Sequence, residues 1–587
     1  VGGFWGVLRN LSAALFFHPA VGFGTGLVVG ALSTLVTGKL HLDGNRRRTV
    51  GVVAVSVTAF AVLGLPWPLS DIFTRDLFAV VYAVNLLLGA AFVWAALRAE
   101  RVVGVISRVA GYVLSGAALL WVLFALVFQV LFVPDDPPGP VPPGPNVVVF
   151  LSDALRADVT SLYDGQVPMP NLERLAAHGV TFERCFSCSS WTIPSVVALF
   201  TGLAPEVSGM DSVRAIPLPL PYLPEQLSRR GYRTWCMMAN PLLTPGLGFS
   251  RGFDHYSLQT WRFYGQGFLE RPRSLYDVVA LGLNRLLFAL DFEHLTDLGF
   301  EASTDMLRSL NPDGGDFVYI HLYDPHAPYT PPRRFLPRDD YAGPYAESSG
   351  DFLEHPDELT DEDVARLKEL YEAEVRMVDQ TLGRALDVLD DRGLWKNTVF
   401  IFLADHGEEF REHGLVEHFH VNLQPELTHV PLVIYWPGRL EGGGKFIQPV
   451  ALADVYATIL DGLGIFYDEK MLNGRSLLKP LPAARPVFAQ RCMGSDGTSA
   501  HSDFVVRDKT ALFVNYDNDV DELYVDYYSN PENVAGDNPE TVAELKALLA
   551  GWHARNAELM KHYGTGGDAG PMDAEHLEQL RAVGYIQ

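Results

Sequence analysis

Four short runs place hydroxyl, carboxylate and imidazole groups where they could do chemistry together. They are LSDALRAD around Asp153, SWTIPSVVALFTG around Thr192, HLYDPHAPY around His326, and ADHGEE with EHGLVEHFH, which carry Asp405, His406 and His418. A threonine hydroxyl is a weak nucleophile at neutral pH and needs a cation or a base before it can attack an ester. Asp153, Asp405 and His406 could meet that need by holding one divalent ion. Two carboxylates and one imidazole suit Zn²⁺, Mn²⁺, Mg²⁺ or Ca²⁺ alike, so these residue types leave the ion's identity open. Taken singly, Asp153 or Thr192 is as readily a helix cap. His326 and His418 are the candidates for contacting the transferred group's oxygens or protonating the leaving group. His321, His413 and His420 read as ordinary core or surface histidines.

Positioning these groups requires a particular set of elements. The runs NVVVFLS (146–152), FVYIHLY (317–323), TVFIFLA (398–404) and PLVIYW (431–436) are continuous and apolar, as in strands buried on both faces. Helical patterns lie between them at 171–178, 196–200 and 223–230, with a long amphipathic one at 361–392 that stops at Gly393. This alternation predicts an α/β sandwich around a mainly parallel sheet, with functional groups gathered at the C-terminal ends of strands. Asp153 follows the first run directly, and Asp405 and His406 follow the third, where Gly407 would permit a sharp turn. Pro194 belongs to a first helical turn and so sets Thr192 at or just before a helix N-terminus, where the dipole favours an oxyanion. Near the end of the chain, ELYVDYY and the helical stretch after it read as a small C-terminal α+β subdomain. Residues 339–363 are acidic and read as a lid, and an amphipathic stretch at 275–290 reads as packing on the domain, with resting on the membrane surface as the alternative.

The first 133 residues differ in kind. Apolar stretches at 19–38, 50–69, 77–97 and 109–133 contain no Lys, Arg, Asp or Glu. Each has about the 20 residues needed to cross ~30 Å of hydrocarbon, which predicts four transmembrane helices. Basic residues lie in the first and third loops, which would place both the N-terminus and everything after residue 133 on the outer face. The Pro-rich segment 134–145 would act as a spacer between this region and a catalytic domain at 146–485, with the subdomain at 486–587. The expected location is a bacterial inner membrane, with the catalytic domain extracytoplasmic. Beyond residue 133 there are 36 Lys and Arg against 66 Asp and Glu, an acidic balance that argues against nucleic acid as a partner. The lipid bilayer and a small-molecule, lipid or glycan ester remain as expected partners. Four cysteines in so long a chain do not make a disulfide scaffold and read as structural.

From residue 146 onward the chain resembles the sulfatase family of the alkaline phosphatase superfamily. The resemblance rests on NVVVFLSDALRAD, MPNLERLAAHGVTFERCFS, WTIPSVVALFTGLAP, HLYDPHAPY, FLADHGEEFREHG, THVPLVIYWPG and ELYVDYYSNPENVAG, which occur in family order. It implies one divalent metal held by Asp153, Thr192, Asp405 and His406, with Thr192 at the family's nucleophile position. It also implies that His326 and His418 contact the sulfuryl or phosphoryl oxygens or the leaving group. Lys509 lies near where relatives carry a basic residue.

Two departures bear on the reaction. The stretch Thr192, Ile193, Pro194, Ser195, Val196 lacks the cysteine that sulfatases convert to formylglycine and the arginine that supports it, and Cys188 is not followed by the required motif. Ala154 replaces the second Asp of the usual pair, which removes one hard oxygen ligand and weakens the case for calcium. The expectation is a metal-dependent hydrolase or transferase acting on a sulfate or phosphate ester through a threonine nucleophile. A threonine in this setting is also similar to the phosphoethanolamine and phosphoglycerol headgroup transferases, which is one alternative. A catalytically inactive protein that binds a headgroup or partner is another.

Overall fold

The computed structural model describes residues 144–565, except 211–213, 259–302, 337–340, 347, 350–351, 353–357, 415, 419–421, 494–498 and 528–531. The four expected membrane spans, the Pro-rich spacer up to residue 143 and the amphipathic stretch at 275–290 lie outside the described residues, as does much of the acidic stretch at 339–363. Among the described residues, no helix is long and apolar enough to cross a membrane.

The framework is an eight-stranded sheet in the order β10-β2-β9-β7-β1-β6-β4-β5. Its strands are β1 (Asn146–Ser152), β2 (Val180–Phe182), β4 (Arg233–Met238), β5 (His255–Leu258), β6 (Asp316–Leu322), β7 (Thr398–Ala404), β9 (Leu432–Tyr435) and β10 (Gly444–Phe446). β1 runs parallel to both of its neighbours, β6 and β7. Only β9 is reversed, pairing antiparallel with β7 and β2. Every residue of β1, β6 and β7 is buried, so both faces of the sheet centre are covered. This explains why these runs are continuously apolar rather than alternating.

The covering helices pack in pairs, α1 (Pro170–His178) with α3 (Asp361–Arg392) and α2 (Thr192–Thr201) with α4 (Ala453–Gly462). A capping box opens α3: Thr360 Oγ1 accepts from the Asp363 backbone N–H at 3.1 Å, while Asp363 accepts from the Thr360 N–H at 2.9 Å. Gly393, at φ 63°, closes it in the left-handed conformation. A small three-stranded sheet joins β3 (Cys185–Phe186), β8 (His429–Val430) and β11 (Val450–Ala451).

Toward the C-terminus, β12 (Pro486–Met493), β13 (Ser499–Arg507), β14 (Thr510–Asn515) and β15 (Val520–Tyr524) form an antiparallel sheet. Helix α5 (Pro539–Tyr563) packs on it, with Leu545 and Leu549 against Val505, Leu512, Val514 and Leu523. The sheet also reaches the loop that precedes α2, since the Gln490 N–H donates to Cys188 O at 3.0 Å and Arg491 donates to Ser190 Oγ at 3.0 Å.

Candidate active site

Strand register brings the first carboxylates together. Ser152 is level with Ala404 of β7 and Leu322 of β6, so Asp153 and Asp405 leave adjacent strands at the same height. The chain turns at once after Asp153, because Ala154 sits in the left-handed region at φ 57°, an uncommon conformation for a residue with a Cβ. In that conformation the Ala154 N–H donates to Asp405 Oδ1 at 3.2 Å, and its carbonyl accepts from Tyr371 OH at 2.9 Å. Gly407 serves close approach rather than an unusual turn. Its N–H donates to Leu427 O at 2.8 Å, and a Cβ there would lie 1.9 Å from Glu426 O.

Thr192 is the first residue of α2, so its hydroxyl stands at the positive end of that helix. Its Oγ1 lies 3.2 Å from His406 Nε2. The same nitrogen is 3.3 Å from Asp153 Oδ1 and 3.7 Å from Asp405 Oδ2. His406 Nδ1 hydrogen-bonds Gly407 O at 2.8 Å, which fixes its proton there and turns Nε2 to the carboxylates. Burial would depress the His406 imidazolium, but the charges of Asp405 and Asp153 override it and raise the group to about 9. Burial, reinforced by Asp153, pushes Asp405 up to about 6. Asp153 is held well below the usual carboxylate range: burial acts against this, and His326, His321 and His406 outweigh it. All of these side chains are fully buried.

Two partners were not singled out by sequence. His321, within β6, donates from Nε2 to Asp153 Oδ2 at 3.0 Å and accepts from Tyr319 OH on Nδ1 at 2.9 Å. Asn240, just beyond β4, donates from Nδ2 to Asp153 Oδ2 at 2.7 Å and lies 3.4 Å from Thr192 Oγ1. His321 is thus no ordinary core histidine, and the visible signal was an imidazole inside an otherwise apolar, fully buried strand. For Asn240 the only signal was a polar residue just past a strand end.

The remaining expected histidines gather beside this cluster. The His326 ring centre lies 4.8 Å from that of His418 and 6.2 Å from that of His406, and His406 and His418 are 4.3 Å apart. Burial lowers His326 to about 4. His413 is partly exposed and pairs with Glu426 at 3.1 Å, whereas His420 lies outside the described residues. Lys509 is half-exposed in the turn between β13 and β14 and pairs with Asp526 at 3.1 Å. Cys185, Cys188 and Cys236 are buried free thiols.

The donor set fits a divalent cation. Asp405 Oδ2 is buried and accepts no hydrogen bond among the described residues, and donor atoms of Asp153, His321 and Asp405 all lie within 4.8 Å of one another. Two imidazoles face the carboxylates, and each has both nitrogens hydrogen-bonded: His321 to Asp153 and Tyr319, His406 to Thr192 and Gly407. The group whose donor atoms converge most closely is Asp153, His321 and Asp405, with His406 Nε2 3.3 Å from Asp153 Oδ1 beside it.

The chain is similar to known proteins over this region. The family model described as Sulfatase matches residues 145–465. An arylsulfatase from Clostridium perfringens is 24% identical over 437 residues, covering 66% of this chain and 89% of that protein. Arylsulfatase K from Xenopus laevis is 24% identical over 466 residues, covering 70% and 83% respectively. Among solved structures, the phosphonate monoester hydrolase from Silicibacter pomeroyi superposes with a TM-score of 0.54 at 21% identity, covering 71% of this chain and 96% of that one.

Proposed function

Because the chain belongs to the sulfatase family, and is therefore a sulfatase-like ester hydrolase of the alkaline phosphatase superfamily, we propose that it cleaves a sulfate or phosphate ester by covalent transfer to Thr192. The observation that carries this reading is the convergence of three distant segments on one point. His406 Nε2 is 3.2 Å from Thr192 Oγ1 and 3.3 Å from Asp153 Oδ1, with Asp405 behind. Asp153, Asp405, His406 and the Thr192 oxygen would hold the divalent cation. When bound, such an ion supplies positive charge that favours the alkoxide form of a hydroxyl and offsets charge building on the transferred group.

The chain's own residues do the rest. Helix α2 orients Thr192 and adds its N-terminal dipole, and Asn240 donates a hydrogen bond to Asp153 and lies near the attacking oxygen. Thr192 Oγ, its proton lost to solvent, bonds to the sulfur or phosphorus as the ester oxygen departs. His326 and His418 stand beside this point: His326, kept neutral by burial, faces the transferred group as a hydrogen-bonding partner, and His418 protonates the departing oxygen. Without formylglycine there is no second hydroxyl to expel the group, so release requires a water or an alcohol to attack the threonine ester.

The apolar stretches and basic loops before residue 134 support an anchored enzyme acting at the outer face of a bacterial membrane on a lipid or glycan ester. The test uses purified protein with aryl sulfate, phosphate monoester and phosphonate monoester substrates, followed by mass spectrometry of the peptide bearing Thr192. Thr192→Ala is expected to abolish turnover, and a trapped adduct of wild type should carry the transferred group on Thr192. Full activity in Thr192→Ala would overturn the reading.

A further inference from the structure

Glu408 is a fully buried carboxyl for which the reaction above has no use. Its place is fixed from two sides. Arg156, itself buried and held by Asp158 at 2.8 Å and Glu412 at 2.7 Å, donates to the Glu408 carbonyl at 3.0 Å. Beyond Glu408 the chain doubles back: Phe410 bridges Val416 in antiparallel fashion, and the Glu417 N–H donates to Glu409 O at 2.8 Å. These contacts bring residue 418 back beside residue 408. There His418 Nδ1 meets Glu408 Oε1 at 2.8 Å. The opposite edge of the ring carries Nε2, and the His406 and His326 rings stand 4.3 and 4.8 Å away, centre to centre.

We propose that Glu408 is a positioning residue that fixes the His418 tautomer and ring plane, so that Nδ1–H is spent on the carboxylate and Nε2–H is delivered to the leaving-group oxygen. This rests on the reading of His418 as the group that protonates the leaving oxygen. In the first step the Thr192 Oγ bond to sulfur or phosphorus forms and the ester oxygen's bond to it breaks. The departing oxygen takes the Nε2 proton, which leaves a neutral imidazole with Nδ1–H still on Glu408. In the second step a water attacks the threonine ester, Nε2 takes the water's proton, and Thr192 Oγ leaves with the bonding pair. Without Glu408 the ring can rotate or adopt the other tautomer, and proton delivery fails while attack by Thr192 persists.

The consequence is a dependence on the leaving group that a merely structural defect would not produce. Phenyl and alkyl esters need the proton, whereas 4-nitrophenyl esters depart largely without it. For Glu408→Gln, kcat/KM is expected to fall at least about tenfold further on the phenyl ester than on the 4-nitrophenyl ester, within the range general-acid catalysis spans, and to follow His418→Gln across the series. Glu408→Asp keeps a carboxylate on a shorter stem and should show the same selective loss at reduced size. It is the second variant should Glu408→Gln fail to fold. An equal loss on all esters, or none, overturns the positioning role. Full turnover in Thr192→Ala would instead overturn the underlying reading, whatever Glu408 does.

Discussion

On the proposed reading, Asn240 offers a way to separate binding of a charged ester from activation of Thr192. Its amide donates to Asp153 Oδ2 at 2.7 Å and stands 3.4 Å from Thr192 Oγ1. Asn240→Ala removes that donor and leaves His321 as the remaining support for the same carboxylate oxygen. An interaction aimed at the attacking atom acts on the transition state more than on bound substrate. The expected result is therefore a fall in kcat of about 10- to 100-fold with KM changed by less than about threefold, read from steady-state kinetics. A raised KM with intact kcat would place the amide on the substrate instead. Gly407 makes a harder demand, because its missing Cβ leaves room for the Glu426 carbonyl. Gly407→Ala must push that backbone away beside His406. Denaturant melts should show a loss of about 1 to 3 kcal/mol, the usual cost of overpacking, accompanied by a fall in turnover.

Among the elements, α5 is tied to the rest of the molecule through His553. Nε2 of that ring meets Asp503 Oδ2 at 2.7 Å and Nδ1 meets Glu206 Oε2 at 2.9 Å, which joins the helix to β13 and to the short helical turn at Pro205–Ser208. The hydrogen bonds to Asp503 and Glu206 raise the imidazolium to about 10. The folded protein therefore binds this proton more tightly than the unfolded chain does. The resulting stability is fully present below about pH 6.5, the unfolded value, and is lost as pH rises toward the folded one. The ring is partly exposed, so screening limits the effect to about 1 kcal/mol. His553→Gln should lower the melting temperature near pH 6 and have little effect near pH 10; an equal shift at both would mean that packing, not charge, holds the helix. Such ties are hard to read from sequence. The strands at 146–152 and 398–404 were legible to the residue because burial on both faces demands unbroken apolar runs. PLVIYW was legible as a strand, but its reversed direction was not, since periodicity carries no information about which neighbour a strand meets. β2, β4 and β5 are short, lie toward the edges and are partly exposed, so their signal was too weak to find.

At the scale of the whole molecule, the site could be read only as a set of candidates. Residue type and position past a strand end were enough to nominate Asp153, Asp405 and His406, because chemistry restricts what can sit there. The contacts of His321 and Glu408 depend on strand register and on a loop doubling back, neither of which spacing reveals. The assembled centre also sets a condition on stability. Asp153 and Asp405 leave adjacent strands at one level, and Asp405 Oδ2 accepts no hydrogen bond among the described residues, so their mutual repulsion is relieved by protonated His406 or by a bound cation. A ligand that binds only the folded state stabilises it by about 2.7 kcal/mol at a hundredfold excess over its dissociation constant. Protein dialysed against a chelator should therefore melt several degrees lower than protein reloaded with Zn²⁺, Mn²⁺, Mg²⁺ or Ca²⁺, and the cation giving the largest recovery identifies the preferred metal. Asp405→Asn removes one charged ligand and part of the repulsion, so its melting temperature should depend far less on added metal. Calorimetry showing that no divalent cation raises the wild-type transition, or that Asp405→Asn responds as fully as wild type, would remove the two aspartates from the proposed metal site and with them the source of charge that the proposed attack by Thr192 requires.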